Sequence, residues 1–201
     1  MEITNVASIS AKNSWIENTA DATRVFTWLI CERYDDKGNV IAYEYKQENS
    51  DNVDLSQVHE RNRKATKMRA NRYLKHIRYG NETPYFVDLT SVMGWPALPA
   101  PDRWHCELVF DYGEHDVAAP PPDGAIRTWP ALLDPFSSYR SCFKVGTYRL
   151  CRRILKFHWI PDLGPTPCLV ALTDLTHQPP TTLASYLTRV THCGYPRSRR
   201  I

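Results

Sequence analysis

Nine of the 15 prolines fall between Thr83 and Pro135, among them Pro120, Pro121 and Pro122. A proline has no amide proton to give to a ladder and its ring fixes φ, so this stretch cannot run as helix or sheet interior. Only Trp104 to Tyr112 survives inside it as a clear strand, and most other regular structure has to lie on either side. There the sequence leans toward sheet, because 11 Tyr, 6 Trp and 6 Phe suit pleated, half-buried surfaces. At 201 residues the chain has room for one large domain or two small ones. Its 42% hydrophobic and 23% charged content excludes wholesale disorder. A net charge of +3 from 25 basic and 22 acidic residues is too balanced to indicate nucleic acid, and no apolar run approaches the ~18 residues of a spanning helix.

The first residues, Met1 to Ser14, lack a basic stretch followed by an apolar core and cleavage site, so no secretory signal is readable. Cys31, Cys106, Cys142, Cys151, Cys168 and Cys193 are scattered without a C-x-x-C pair. That spacing fits neither a zinc site nor a compact disulfide framework and predicts mostly buried thiols in a reducing compartment, with the even count leaving disulfides open.

Arg24 to Cys31 and Val40 to Tyr45 are apolar, aromatic and β-branched, and Tyr34-Asp-Asp-Lys-Gly-Asn39 between them offers Gly and Asn for a reversal at positive φ. A β-hairpin is expected. Val53 to Ala70 has no Gly or Pro and is rich in helix formers, which predicts a short helix or ordered loop. Arg72 to Tyr79 alternates and stops at Gly80-Asn81, as a second hairpin arm. Tyr148 to His158, Cys168 to Thr173 and Ser185 to Thr191 read as further strands. The expected organisation is a poorly ordered lead-in at 1–21, one β-rich segment at 22–197 and a frayed basic end at 198–201.

The turn-and-aromatic unit Tyr34-Asp-Asp-Lys-Gly-Asn-Val-Ile-Ala-Tyr-Glu-Tyr45 resembles one YD repeat. It has companions in order: Arg24-Val-Phe-Thr-Trp-Leu29, Ala70 to Asn81, Phe110-Asp-Tyr-Gly-Glu-His115, Asp134-Pro-Phe-Ser-Ser-Tyr-Arg140, Thr147-Tyr-Arg-Leu-Cys-Arg-Arg153, and Phe157-His158 leading to Pro161-Asp-Leu-Gly164. This set, spanning roughly 22 to 197, is similar to the virulence plasmid B (SpvB) family and to B components of insecticidal toxin complexes. The resemblance implies a mainly β fold, an antiparallel, curled YD-repeat-like sheet of hairpins with long Pro-rich loops. It further implies a structural, non-enzymatic role in a β-shell that holds a cytotoxic cargo. The chain matches an internal stretch of such proteins and is expected to be a piece of a longer one.

Implied partners are the other shell segments and the YD-repeat C component, with a pore-forming A component met indirectly. No nucleic acid, no direct membrane insertion and no cofactor are expected. Implied locations are the extracellular region and the cytoplasm of the producing cell. The ADP-ribosyltransferase domain of some relatives carries a Ser-Thr-Ser element and a Glu-x-Glu pair, neither of which occurs here, so that activity is not expected. The rival reading is a freestanding carbohydrate- or protein-binding β module.

No catalytic, cofactor or metal residue is assigned from the sequence. His105 with Glu107, and His115 with Asp116, offer a base and a carboxylate for hydrolysis or metal binding, yet such neighbours arise by chance among 7 His and 22 acids and need a third converging group. His158 reads as a core-edge histidine satisfied by backbone. Ser137 and Ser138 lie in no G-x-S-x-G and their segment reads as a turn. Arg61, Arg63, Lys64, Lys67, Arg69 and Arg72, with Tyr73 and Tyr79 nearby, suit a solvated helix face better than a nucleic-acid footprint. P-loop, G-x-G-x-x-G and H-E-x-x-H motifs are absent.

Overall fold

The computed structural model describes residues 13–58, 60, 68–85, 104–178 and 184–195. Their strands in chain order are β1 (Trp15–Asn18), β2 (Asp21–Trp28), β3 (Glu32–Tyr34), β4 (Val40–Gln47), β5 (Arg72–Asn81), β6 (Trp104–Asp111), β7 (Phe136–Ser138), β8 (Val145–Thr147), β9 (Arg153–His158), β10 (Cys168–Gln178) and β11 (Tyr186–Gly194). The fold is mainly β and antiparallel, as expected. One seven-stranded sheet runs β11-β10-β9-β6-β5-β4-β3, and two-stranded ribbons β1-β2 and β7-β8 flank it. Every pairing in the large sheet is antiparallel. No helix among the described residues is long and apolar enough to cross a membrane.

The 34–39 turn closes as a hairpin, with Tyr34 opposite Val40. Asp35 builds it: Oδ1 accepts from the amides of Lys37 and Asn39 at 3.0 and 2.9 Å, and Oδ2 accepts from Asn39 Nδ2 at 2.8 Å. Gly38 alone takes positive φ, at 82°; Asn39 serves as the cross-link instead. The incoming arm is short, Glu32 to Tyr34, rather than Arg24 to Cys31. Leu29 N donates to Ser14 O at 2.6 Å and Tyr45 Oη to Ile30 O at 2.9 Å, which ends β2 at Trp28 and commits it to β1. Strand β1 thus falls inside the segment expected to be a poorly ordered lead-in; residues 1–12 and 196–201 lie outside the described residues.

One strand expectation changes, while 53–70 follows the ordered-loop alternative where it is described. Tyr148 to Leu150 is not strand, because Tyr148 N donates to the Tyr73 hydroxyl at 2.9 Å and Tyr148 O accepts from Leu132 N at 2.8 Å, leaving β9 to start at Arg153. Within 53–70, the described residues form turns, with Ser56 N on Asp54 Oδ1 at 2.9 Å; residues 59 and 61–67 lie outside the description. All six cysteines are free, four half-buried and Cys142 and Cys193 exposed, so the expectation of mostly buried thiols fails.

Alternation decides the core. On β6 and β9 the odd-numbered Glu107, Val109, Asp111, Arg153, Leu155 and Phe157 are buried, while Cys106, Leu108, Phe110, Ile154, Lys156 and His158 are half-buried on the other face. Val109, Leu155 and Phe157 form one apolar cluster, and Tyr73, Tyr112 and Trp129 another. The rings of the second meet edge to face with centroids 5.4–6.0 Å apart, the arrangement aromatic quadrupoles favour.

Candidate functional site

The polar content of the buried face is concentrated in carboxylate–cation nodes. Register places Asp111 opposite Arg153, and Arg153 Nε donates to Asp111 Oδ2 at 2.7 Å. The other oxygen of Asp111 accepts from the amides of Gly113, Glu114 and His115 at 2.8, 3.0 and 3.2 Å, folding the Phe110–His115 motif into a tight turn. Burial would raise this carboxyl's pKa, but those amides and the guanidinium outweigh it and hold it below the usual range. Arg149 and Glu48 make a second node with both side chains fully buried. Arg149 Nε reaches Glu48 Oε2 at 2.9 Å, and its guanidinium lies 4.4 Å from the centroid of Trp129. Lys46 Nζ approaches the same indole at 4.0 Å.

A third node joins Lys75, Glu114 and His115. The Lys75 ammonium is 2.6 Å from Glu114 Oε1, 3.0 Å from Phe110 O and 2.7 Å from His115 Nε2. His115 Nδ1 is 3.1 Å from Pro121 O. An ammonium only donates and a carbonyl only accepts, so Nε2 is the acceptor and Nδ1–H the donor, and the ring is neutral. Burial, then the Lys75 charge, holds this imidazole below its ordinary pKa. Asp116 does not orient it; that carboxylate is exposed and takes the amides of Ala118 and Ala119.

Glu107 does not pair with His105. Its Oε1 meets His76 Nδ1 and Arg78 Nε, each at 2.9 Å, and its Oε2 accepts from Trp159 Nε1 at 3.2 Å. Burial raises the Glu107 pKa, but His76 and Arg78 prevail and hold it low. Ligand atoms of His76, Glu107 and Asp123 come within 4.8 Å of one another. Arg78 already neutralises the oxygen a divalent ion would seek, so the trio fits an ion-pair node rather than a metal centre.

His158 is not satisfied by backbone: its Nε2 is buried with no partner among the described residues. Ser137 lies within β7 and Ser138 ends it, a strand where a turn was expected; the turn follows, with Cys142 N on Tyr139 O at 2.9 Å. Arg72 is buried and caps the carbonyls of Arg69 and Ala70 at 3.1 and 3.0 Å, which removes it from any surface basic stripe; Arg61, Arg63, Lys64 and Lys67 lie outside the described residues. A cleft of about 390 Å³ opens between residues 130–133 and the second half of β10, lined by Leu132, Leu133, Leu175, Arg152, Asp174 and His177. Its threonine and serine hydroxyls are held by carboxylates, Thr176 Oγ1 on Asp174 at 2.9 Å and Ser185 Oγ on Asp134 at 2.7 Å, with no histidine bonded to either hydroxyl among the described residues.

The surface is more suggestive than these interiors. The large sheet ends on β11, a nine-residue edge strand on which every residue except Thr191 is exposed. Tyr186, Leu187 and Val190 are 62%, 52% and 56% exposed. Natural edges are usually short, charged or covered; this one is long, carries a single arginine, Arg189, and pairs among the described residues with β10 alone.

A family model described as Salmonella virulence plasmid 65kDa B protein matches residues 4–160. Mono(ADP-ribosyl)transferase SpvB of Salmonella typhimurium (strain 14028s / SGSC 2262) and that of Salmonella choleraesuis (strain SC-B67) are each 39% identical over 153 residues, 75% of this chain and 24% of theirs. The chain therefore spans about a quarter of the length of those relatives. The solved N-terminal domain of effector protein SpvB from Salmonella typhimurium strain LT2 matches with a TM-score of 0.77 at 33% identity, over 92% of this chain and 56% of that one. The crystal structure of TcdB2-TccC3 matches with a TM-score of 0.76 at 26% identity, over 92% and 9%. In the Photorhabdus luminescens Tc holotoxin pore the values are 0.73 and 26%, over 90% and 8%. The chain thus belongs to the SpvB family and shares its β fold with the SpvB N-terminal domain and with components of toxin complexes.

Proposed function

We propose that this chain is a non-enzymatic structural segment of a toxin-complex B-type protein, whose sheet joins neighbouring strands into a β-shell around a cytotoxic polypeptide. The observation that carries this reading is β11: a long edge strand with exposed Tyr186, Leu187 and Val190, paired among the described residues on one side only, is a template for a further strand. The nodes described above support it, since each carboxylate is spent on a cation or a backbone amide and none faces a cleft. On this reading the partners are the remaining shell segments and the YD-repeat C component, with the pore-forming A component reached only through the assembled complex. The chain is made in the cytoplasm and acts outside the producing cell.

The chain alone should elute as oligomers and bind a hydrophobic dye. Placing charges on the edge, as Leu187→Lys with Val190→Lys, should return it to monomer without unfolding it. A wild-type monomer with a sharp melt and no dye binding would overturn the shell reading. It would favour a freestanding binding module that uses exposed aromatics such as Trp28, Phe136 and Tyr139, which are 72%, 65% and 62% exposed.

A further inference from the structure

The Lys75–His115 contact does something a purely structural node does not need to do. Three protons of the Lys75 ammonium meet three acceptors: Glu114 Oε1, Phe110 O and His115 Nε2. The imidazole spends its one proton on Pro121 O. Every donor and acceptor of the pair is matched, and a second proton on the ring has nowhere to point except at the ammonium 2.7 Å away. The ring is 1% exposed, so water cannot take up the charge in place. We propose that His115 is an acid-operated latch: its protonation breaks the contact with Lys75 and frees the Gly113–Pro121 turn from β5.

The surrounding charges agree in sign. From β5 comes Lys75 and from β4 comes Lys46, 3.3 Å from Glu114. From β9 comes Arg153, whose guanidinium donates to the carbonyls of His115 and Asp116 at 3.2 and 2.8 Å. The anions are Glu114 and Asp111, and Asp111 is already saturated by Arg153 and three amides. Three cations against two anions leave the neutral-ring node with one positive charge, and acid would add another. What the latch holds is substantial. The chain from Gly113 to Trp129 starts at this turn, Ile126 N returns to Glu114 O at 3.0 Å, and Trp129 is fully buried against Tyr73 and Tyr112. Releasing the turn frees the start of the segment that leads to Trp129.

The sign follows from linkage. A histidine held neutral by the fold supports the closed state above the ordinary imidazole pKa of ~6.5, and that support declines as pH falls below it, by up to about tenfold in the opening equilibrium per pH unit. Carboxylate-driven acid unfolding belongs near pH ~4, so the two events separate. The test is amide exchange of the full chain from pH 7.5 to 4.5, with rates corrected for intrinsic pH dependence. Segment 113–124 should lose protection below pH ~6.5 while β6 and β9 stay protected. His115→Gln keeps an acceptor for Lys75 but cannot titrate, and it should abolish that early loss. Persistence of the early loss in His115→Gln would overturn the latch. Should that variant fold poorly, a nitrogen-resolved NMR titration of wild-type His115 decides: an Nδ1–H tautomer that protonates together with the loss of protection supports the latch, and protonation without any such loss overturns it. The latch stands apart from the shell reading, because neither oligomer size nor dye binding enters its readout.

Discussion

Single residues carry more of this fold than their exposure suggests. Gly38 sits at φ 82°, and its carbonyl accepts from Tyr85 N at 2.9 Å and from Asn81 Nδ2 at 2.8 Å, so one turn anchors both the hairpin and the end of β5. Gly38→Val forces a β-branched residue into that conformation and should lower stability by about 1–3 kcal/mol, read as a drop in melting temperature. Glu48 is buried with Arg149 and also accepts the amides of Asn49 and Ser50 at 3.0 and 2.7 Å. Glu48→Ala strands a guanidinium in the interior and should cost about 3–5 kcal/mol, whereas Glu48→Leu with Arg149→Met should cost much less, because no charge is left unpaired. Asp111 and Glu107, both held below the usual carboxylate range, contribute stability that is full above the unfolded value of ~4 and is lost as pH falls through their folded values. A denaturation midpoint followed between pH 6 and 2 should therefore show the carboxylate-driven part of its fall at the acid end, and Asp111→Asn should flatten that part.

Among the elements, β4, β5 and β6 were legible because apolar and aromatic residues alternate there between recognisable turn residues. Strands β10 and β11 run further than the sequence suggested, since Asp174 to Gln178 and His192 to Gly194 are mostly polar and carry no apolar alternation. The nodes were not legible at all. Arg149 is 101 positions from Glu48 and Arg153 is 42 from Asp111, and only the register of the sheet shows that Arg153 of Thr147–Arg153 and Asp111 of Phe110–His115 are partners. That pairing gives the two family motifs their physical meaning. His105 was singled out beside Glu107, but the carboxylate went to His76 across the β5–β6 pairing, where strand geometry supplies a closer neighbour. The same contrast between interior and margin predicts exchange behaviour: amides of β6 and β9, flanked on both sides, should exchange far more slowly than those of β11, which has one neighbour and little buried side-chain area. Hydrogen-exchange mass spectrometry at neutral pH checks this, and equal protection along all seven strands would contradict the edge assignment.

At the scale of the molecule, the relatives include a transferase, yet the solved match is to its N-terminal domain, and no clustered nucleophile or nucleotide cradle is found among the described residues. Purified chain should show no NAD turnover above a buffer control, and enzyme-like turnover that survives repurification would refute a structural role. The large sheet also has a temporal side. Its strands lie in chain order from β3 to β11, broken only by the β7-β8 excursion between the paired β6 and β9. Each arriving strand therefore meets a template that its predecessors have completed, and the sheet can be laid down from one end as polypeptide is delivered. The slow steps should be the closures ahead of β5, β6 and β9, where long connections must be spanned. Since each doubling of loop length adds only about 0.6 kcal/mol of closure cost, those connections add little to the cost of completing the sheet in chain order.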